Sequence, residues 1–209
     1  MASGSPWPTI HAERAALADD LAGLTDAQWS TPSLCSPWTV HEVLGHMTAT
    51  AKMTPPRFFY KLASSGFRFS AMIAREVAVE ASGTPAQGLA EFRAHILDST
   101  APPGPVDSWL GETIVHAEDI RRALGVTHQY PVEAVMRVAD FYKRSNIVVG
   151  AKSRIDGLTL RATDADWSTG TGREVSGPLL SLVLAMTGRP AALSGLSGEG
   201  VPELSARMA

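Results

Sequence analysis

The sequence predicts a mainly α-helical protein: a helical bundle over residues 1–150, followed by a small α/β domain over residues 151–209. Three observations predict this fold class. Apolar residues recur at helical spacing in most segments before residue 150. Strand-like alternation is found only after that point, in the segment LTLRATD. The links between the predicted helices are short, which favours antiparallel packing of neighbouring helices.

The predicted helices of the bundle can be justified one by one. The first covers residues 10–24, where Ile10, Leu17 and Leu21 recur at helical spacing. The second begins with the capping-box pattern of Thr39 and Glu42 and stops before the Pro55–Pro56 pair. The remaining bundle helices are predicted within residues 57–81 (one interrupted helix or two short ones) and at residues 85–99, 111–125 and 131–149.

The predicted C-terminal domain has three parts. Residues 158–164 form a strand, and the glycine-rich segment WSTGTGREVSG forms a hairpin or a tight connection. The apolar segment at residues 178–188 forms a short helix, with Pro178 in its first turn and Gly188 as its C-cap.

Composition limits the kinds of partner. The 209 residues include 18 basic and 21 acidic side chains, for a formal net charge of −3, so no basic surface for nucleic acid or an anionic membrane is expected. No apolar run reaches the roughly 18 residues of a membrane span, and the N-terminus lacks a secretory signal pattern. The single cysteine, Cys35, excludes an intrachain disulfide. We therefore expect a cytoplasmic protein, either a monomer or a homodimer.

The segment GETIVHAEDIRRALG at residues 111–125 places three ionisable residues on one helical stripe. At about 100° per residue, Glu112, His116 and Asp119 share a stripe flanked by apolar side chains. We expect this stripe to face the protein interior. We expect the other charged side chains of the segment to face solvent: Glu118, Arg121 and Arg122.

A buried carboxylate needs a partner, because burying an uncompensated charge costs several kcal/mol. One possible partner is a basic residue of another helix. The other is a divalent metal, since Glu112 and His116 are four residues apart and supply two converging ligands. On the helix that begins at Val40, His46 lies at the edge of the apolar stripe, whereas His41 projects to the side and is expected to be solvated. Two histidines and one glutamate are a known ligand set for catalytic zinc.

The same segments carry a resemblance to a known family. PSLCSPWTVHEVLGHM and GETIVHAEDIRRALG resemble the metal-binding motifs of the DinB-like superfamily, and they look closest to the branch that contains mycothiol-dependent maleylpyruvate isomerase. The tail from DWSTGTGREVSG onwards is similar to the C-terminal domain of that branch. The resemblance implies a DinB-like four-helix bundle with a small α/β C-terminal domain beside the site.

The resemblance also implies a site and a chemistry. A divalent metal, usually zinc, is held by His46, Glu112 and His116 and activates the thiol of mycothiol, a cysteine-bearing sugar cofactor. The thiol then attacks an electrophilic small molecule, which leads to isomerisation or to a thiol conjugate. Asp119 is expected to be a base or to orient a metal ligand. Arg189 is a candidate contact for substrate carboxylates, although an arginine in a last helical turn also complements free helix carbonyls.

Three alternatives remain open from the sequence. The metal could activate water in a hydrolase, or the bundle could be a non-catalytic protein with a structural metal or a buried polar network. His41 could replace His46 as a ligand. Histidine and carboxylate ligands also suit zinc, nickel, iron and manganese alike. Cys35 and Trp38 are expected to pack in the structure and not to act chemically.

Overall fold

The computed structural model of the chain describes residues 4–147 and 149–208, in two compact units that divide between His128 and Gln129. The other residues, 1–3, Val148 and Ala209, fall in segments considered above and lie outside the described residues. The first unit contains seven helices among its described residues: α1 (Trp7–Asp20), α2 (Asp26–Trp29), α3 (Val40–Ala51), α4 (Pro55–Ser64), α5 (Phe69–Glu80), α6 (Pro85–Ala94) and α7 (Val106–Leu124).

A helical bundle forms the first unit, as the sequence predicts. α3 packs against α5, α6 and α7, and α1 packs against α6 and α7. The apolar faces of α1, α3, α6 and α7 meet in one core, which burial stabilises by roughly 25 cal/mol for each Å² of apolar surface removed from water. The buried members of this core are Leu17, Ala18, Leu21, Trp29, Val40, Val43, Leu44, Met47, Leu89, Phe92, Ala117 and Ile120.

Local signals set the ends of the two helices that carry the candidate ligands. The capping box of α3 is confirmed: the Glu42 amide donates to the Thr39 hydroxyl at 3.3 Å, and the Glu42 carboxylate accepts from the Thr39 amide at 2.8 Å. α7 ends at Gly125, whose φ of 70° is the left-handed conformation that glycine adopts at little cost. It begins at Val106, five residues before the predicted start.

The second unit combines short helices with a small sheet. Its elements are α8 (Val132–Tyr142), α9 (Ala151–Arg154), β1 (Leu158–Ala162), β2 (Ser168–Gly170), β3 (Arg173–Gly177), α10 (Leu179–Met186), a 3₁₀ turn (Pro190–Gly195) and α11 (Val201–Ala206). The strand order is β2-β1-β3, with β1 antiparallel to β2 and parallel to β3. α10 packs on β1 and on α8. A mainly helical protein with a small α/β C-terminal part is therefore confirmed.

The glycine-rich segment before α10 is a tight connection, and its interpretation as a hairpin is wrong. β2 and β3 do not pair with each other but lie on opposite sides of β1. A Cβ atom at Gly170 would lie 2.1 Å from the Leu158 carbonyl oxygen, and one at Gly172 would lie 2.0 Å from the Gly157 oxygen. Only glycine fits this close backbone approach.

α8 is shorter than the predicted helix over residues 131–149. It ends at Tyr142, and polar side chains follow that compete for backbone groups. Asn146 bonds to the Ser153 amide at 2.9 Å through its side-chain oxygen. α8 packs against α10 in the second unit, whereas the sequence-based boundary near residue 150 assigns it to the bundle. Among the described residues, no helix is long and apolar enough to cross a bilayer.

Candidate metal centre

The three residues predicted to bind a metal come together in the first unit. His46 lies in the middle of α3, and Glu112 and His116 lie one turn apart on α7, which packs against α3. One ligand atom from each residue lies within 4.8 Å of the other two. The nitrogen His46 Nε2 is 3.8 Å from Glu112 Oε1. The distance of 3.8 Å is close to the roughly 3.3–3.6 Å between neighbouring ligands of a tetrahedral ion, since metal–ligand bonds are about 2.0–2.2 Å long for nitrogen and oxygen.

Aromatic packing holds the two histidine rings. The rings of His46 and His116 meet edge to face, with their centroids 4.8 Å apart. On its other side, His46 contacts the ring of Trp38, at a centroid distance of 5.0 Å. Trp38 thus packs, as expected, but it packs against a candidate ligand. Both histidine side chains keep about 13% of their surface exposed, so they remain within reach of solvent.

The Glu112 carboxylate is buried in an environment that suits a metal ligand. Both of its oxygens are buried, and neither has a hydrogen bond of ordinary geometry among the described residues. Burial raises the pKa of Glu112, against the opposing influence of His116, Arg14 and the nearby hydroxyls of Thr50 and Thr113. Native proteins rarely leave buried polar atoms without a partner. A divalent cation at this position would supply the missing partner, so these residues fit a metal.

A buried arginine, Arg14, lies near Glu112. It lies on α1, is 1% exposed, and interacts favourably with Glu112. Its Nη1 donates to the Asp98 carbonyl oxygen at 3.2 Å, while Nη2 has no hydrogen-bond partner among the described residues. Burial lowers the pKa of Arg14. Sequence reasoning missed this residue, although it lies on the apolar stripe of Ile10, Leu17 and Leu21, and that position was the available signal.

Asp119 lies against His116. Its Oδ2 is 3.0 Å from His116 Nδ1, and its side chain is fully buried. A carboxylate that accepts a hydrogen bond from a ligand histidine fixes the tautomer and the orientation of the ring. Of the two roles predicted for Asp119, orienting His116 therefore has direct geometric support, and the role as a base stays a prediction.

The loop between α2 and α3 also reaches this site. The Leu34 amide donates to the backbone oxygen of Asp119 at 3.1 Å, which ties the loop to α7. Cys35, the next residue, is half-buried and packs against the bundle core as expected. Its sulfur also lies within 4.8 Å of one ligand atom each of His116 and Asp119. The sequence did not indicate this position, because a loop residue has no helical spacing to reveal its neighbours.

Two expectations about the opposite face of α7 are wrong. Arg121 is fully buried, and its Nε donates to the Asp20 carboxylate at 2.7 Å. Glu118 is also buried, and it accepts a hydrogen bond from Arg122 at 2.8 Å. The reason is that α7 packs against both α1 and α3, so more than one of its faces points away from solvent.

His41 is not among the three converging ligands. It is half-buried and less solvated than expected, because its Nε2 is buried and has no hydrogen-bond partner among the described residues. The ring meets Trp29 edge to face, at a centroid distance of 5.9 Å. Burial lowers the pKa of His41, which favours the neutral ring.

Arg189 belongs to the second unit, just after α10. It is 8% exposed, and its Nη1 donates to the Thr187 carbonyl oxygen at 3.0 Å. Arg189 thus binds a free carbonyl at the end of α10, which is the simpler of its two interpretations from the sequence. Its role as a substrate contact stays a prediction.

Comparisons with known proteins agree with this fold and identify a family. The family model described as mycothiol maleylpyruvate isomerase N-terminal domain matches residues 10–140. The crystal structure of the mycothiol-dependent maleylpyruvate isomerase is similar to this structure over 92% of this chain and 91% of that chain, with 16% identity and a TM-score of 0.62. The crystal structure of a mutant of that enzyme matches with the same coverage and TM-score at 15% identity.

At these identities the structural likeness shows the fold alone, and no curated protein sequence matches the chain. The family model, however, spans more than half of the chain, including all three candidate ligands. The resemblance found in the sequence is thereby confirmed: this chain belongs to the family defined by the mycothiol maleylpyruvate isomerase N-terminal domain.

Proposed function

We propose that this protein is a metal- and mycothiol-dependent isomerase or thiol transferase that acts on an electrophilic small molecule. One observation carries the proposal: His46, Glu112 and His116 converge on one point, and both buried oxygens of Glu112 lack hydrogen bonds among the described residues. Membership of the family adds the thiol and the class of substrate.

In this proposal His46, Glu112 and His116 hold one divalent ion, with zinc as the first candidate. A bound zinc ion would favour the deprotonated form of a coordinated thiol near neutral pH, which makes the thiol a strong nucleophile. Three protein ligands leave at least one coordination position open for that thiol.

The residues around the ligands have separate tasks. Asp119 holds the imidazole of His116 in one tautomer by accepting a hydrogen bond from Nδ1. Trp38 packs on the ring of His46 and restricts its rotation. Arg14 lies near enough to Glu112 to favour its charged form.

The proposed substrate is an alkene conjugated to a carboxylate or ketone, as in maleylpyruvate. Addition of a thiolate turns the double bond into a single bond, about which the molecule can rotate. Loss of the thiol then gives the isomer, and retention gives a conjugate. Arg189 is the proposed contact for the substrate carboxylates, since an arginine binds a carboxylate with two hydrogen bonds.

The first test is the metal content of the purified, tag-free protein, beside the variant His116→Ala. We expect about one equivalent of a transition metal in the wild type and none in the variant, with the helical circular dichroism unchanged. His95→Ala is the matched control, because His95 contacts Asp98 and Glu91 outside this site. A wild type that holds no metal after incubation with zinc and desalting would overturn the proposal and leave a buried polar network.

The second test is thiol dependence. The metal-loaded protein is assayed with maleylpyruvate in the presence and absence of mycothiol. Turnover that requires mycothiol supports the isomerase or transferase. Hydrolysis of ester or amide substrates without any thiol would instead identify a hydrolase that uses metal-bound water.

A further inference from the structure

A second group of metal-binding atoms lies beside the first. The sulfur of Cys35 and one ligand atom each of His116 and Asp119 all lie within 4.8 Å of one another. Within this group, His116 Nδ1 and Asp119 Oδ2 are 3.0 Å apart. That separation is close to the roughly 3.3 Å between two ligands of a tetrahedral ion with bonds of about 2.0 Å.

The loop that carries Cys35 is held in place by its own hydrogen bonds. The Cys35 amide donates to the Ser33 hydroxyl at 3.0 Å, and the Cys35 carbonyl oxygen accepts from the Trp38 amide at 2.9 Å. The Ser33 hydroxyl in turn donates to the Trp38 carbonyl oxygen at 2.7 Å. Together with the bond from Leu34 to the Asp119 backbone, these contacts fix the sulfur near α7.

The charges of the group suit a divalent cation. A Cys35 thiolate and the Asp119 carboxylate together carry two negative charges, which neutralise one such ion. Neutral sites are favoured where a carboxylate is fully buried, as that of Asp119 is. The first group, in contrast, has one carboxylate, and the cation Arg14 stands close to it.

We propose that Cys35, His116 and Asp119 form a second metal position, for zinc or a softer divalent ion such as cadmium. Thiolate sulfur selects softer ions than a carboxylate does, and the set of sulfur, nitrogen and oxygen ligands is compatible with zinc. When the ion binds, it replaces the proton on the Cys35 sulfur, and this proton passes to the buffer. The imidazole proton of His116 moves from Nδ1 to Nε2, so His116 serves one of the two positions at a time. The position uses neither His46 nor Glu112, but it shares His116 with the first position and uses Asp119, which orients His116 in the proposed function.

Cobalt provides a direct test, because a bond between cobalt(II) and a thiolate gives an intense absorption band in the near ultraviolet. The chain has one cysteine, so a thiolate band in a solution of protein and cobalt alone reports on Cys35. The metal-free protein is titrated with cobalt chloride in the presence of a phosphine reductant, which adds no thiol. Gel filtration of the same samples excludes a metal bridge between two chains.

Variants separate the two positions. In His46→Ala, which removes a ligand of the first position only, we expect the thiolate band to persist. In Cys35→Ser the band disappears, while one equivalent of cobalt still binds. Asp119→Asn weakens the cobalt affinity of the thiolate position by at least about tenfold, because even residues that only support a metal ligand contribute that much. His116→Ala removes the band.

Four results would overturn the proposal. The first is a wild type without a thiolate band at saturating cobalt. The second is a band that His46→Ala abolishes, which would make Cys35 a ligand of the first ion. The third is an equal band in His116→Ala or in the urea-unfolded chain, which would mean binding by the cysteine alone. The fourth is a band that appears only in a species of doubled size. None of these depends on catalytic activity.

Discussion

Helices α1 and α7 bring an arginine and a carboxylate together at two places, and the two places differ. At one of them, Arg121 donates directly to Asp20 at 2.7 Å. At the other, Arg14 influences the pKa of Glu112, but the Glu112 oxygens have no hydrogen bond among the described residues, and Arg14 donates to the backbone of Asp98 instead. We call Arg121 and Asp20 the closed pair, because a direct hydrogen bond joins them. We call Arg14 and Glu112 the open pair, because no such bond is found between them.

We interpret the difference as that between a structural pair and a pair that belongs to the proposed metal site. A buried ion pair offsets its cost of desolvation only when good geometry satisfies its polar atoms. In the pair of Arg121 and Asp20, the Nε atom of the arginine donates directly to the carboxylate. The pair of Arg14 and Glu112 keeps a carboxylate that a third partner must complete, and the histidines His46 and His116 lie where that partner would be held. Unsatisfied buried groups of this kind are concentrated at functional sites.

The largest effect on the free energy of unfolding is expected when Arg14, the cation of the open pair, is replaced. Arg14→Met leaves Glu112 buried without a countercharge, which costs about 3 kcal/mol of unfolding free energy in the metal-free protein. In the metal-loaded protein the cost is smaller, because the ion supplies the countercharge, and the metal binds about tenfold more tightly because a repelling charge is gone. Urea unfolding with chelator or with zinc measures the first effect, and isothermal titration calorimetry measures the second. An equal cost in both states would contradict the proposed link between Arg14 and the metal.

The matched change in the closed pair is expected to be smaller and independent of metal. Asp20→Asn removes the carboxylate from the buried Arg121, and we expect a loss of about 2 kcal/mol, because Asp20 itself is partly exposed. The same urea unfolding series, with chelator and with zinc, should give the same loss. A loss that changed with zinc would mean that the two pairs are coupled along α1 and α7.

The open pair should also give the metal-free protein a dependence on pH. Burial raises the pKa of Glu112 in the folded state above that of the unfolded chain. The stability that Glu112 contributes is therefore fully present when the pH is below its pKa in the unfolded chain. It is lost as the pH rises through its pKa in the folded protein, and the total loss is about 1.4 kcal/mol for each pH unit between these two pKa values. Unfolding free energies of wild type and Glu112→Gln, measured with chelator at several pH values, should differ by an amount that falls with rising pH. A constant difference would show that the pKa of Glu112 is not raised.

The candidate ligands were predicted from helical spacing together with the family resemblance. Glu112 and His116 are four residues apart on α7, and His46 lies at the edge of the apolar stripe of α3. Arg14 could have been predicted in the same way, from its place among apolar residues on α1. Cys35 could not, because hydrogen bonds between its loop and α7 set its position, and these are distant in sequence.

The errors have a common physical cause. Helical spacing tells which residues share a face, but not how many faces of a helix are covered. Arg121 was placed in solvent on the assumption of one buried face, whereas α7 packs against both α1 and α3. The order of the three strands was likewise beyond the sequence pattern, because alternation predicts a strand without naming the strand it pairs with.

The smallest effect on the metal is expected from His41, the alternative to His46 that the sequence leaves open. His41 lies at the start of α3, where its Nε2 is buried and its ring contacts Trp29. His41→Gln should change the unfolding free energy by about 1 kcal/mol at most, because the lost ring contact is of that size, and should leave the metal content unchanged. His46→Gln, the matched change one and a half turns along the same helix, should abolish metal binding. Metal analysis of the two variants side by side decides between the histidines. Loss of metal in His41→Gln, with retention in His46→Gln, would identify His41 as the ligand in place of His46.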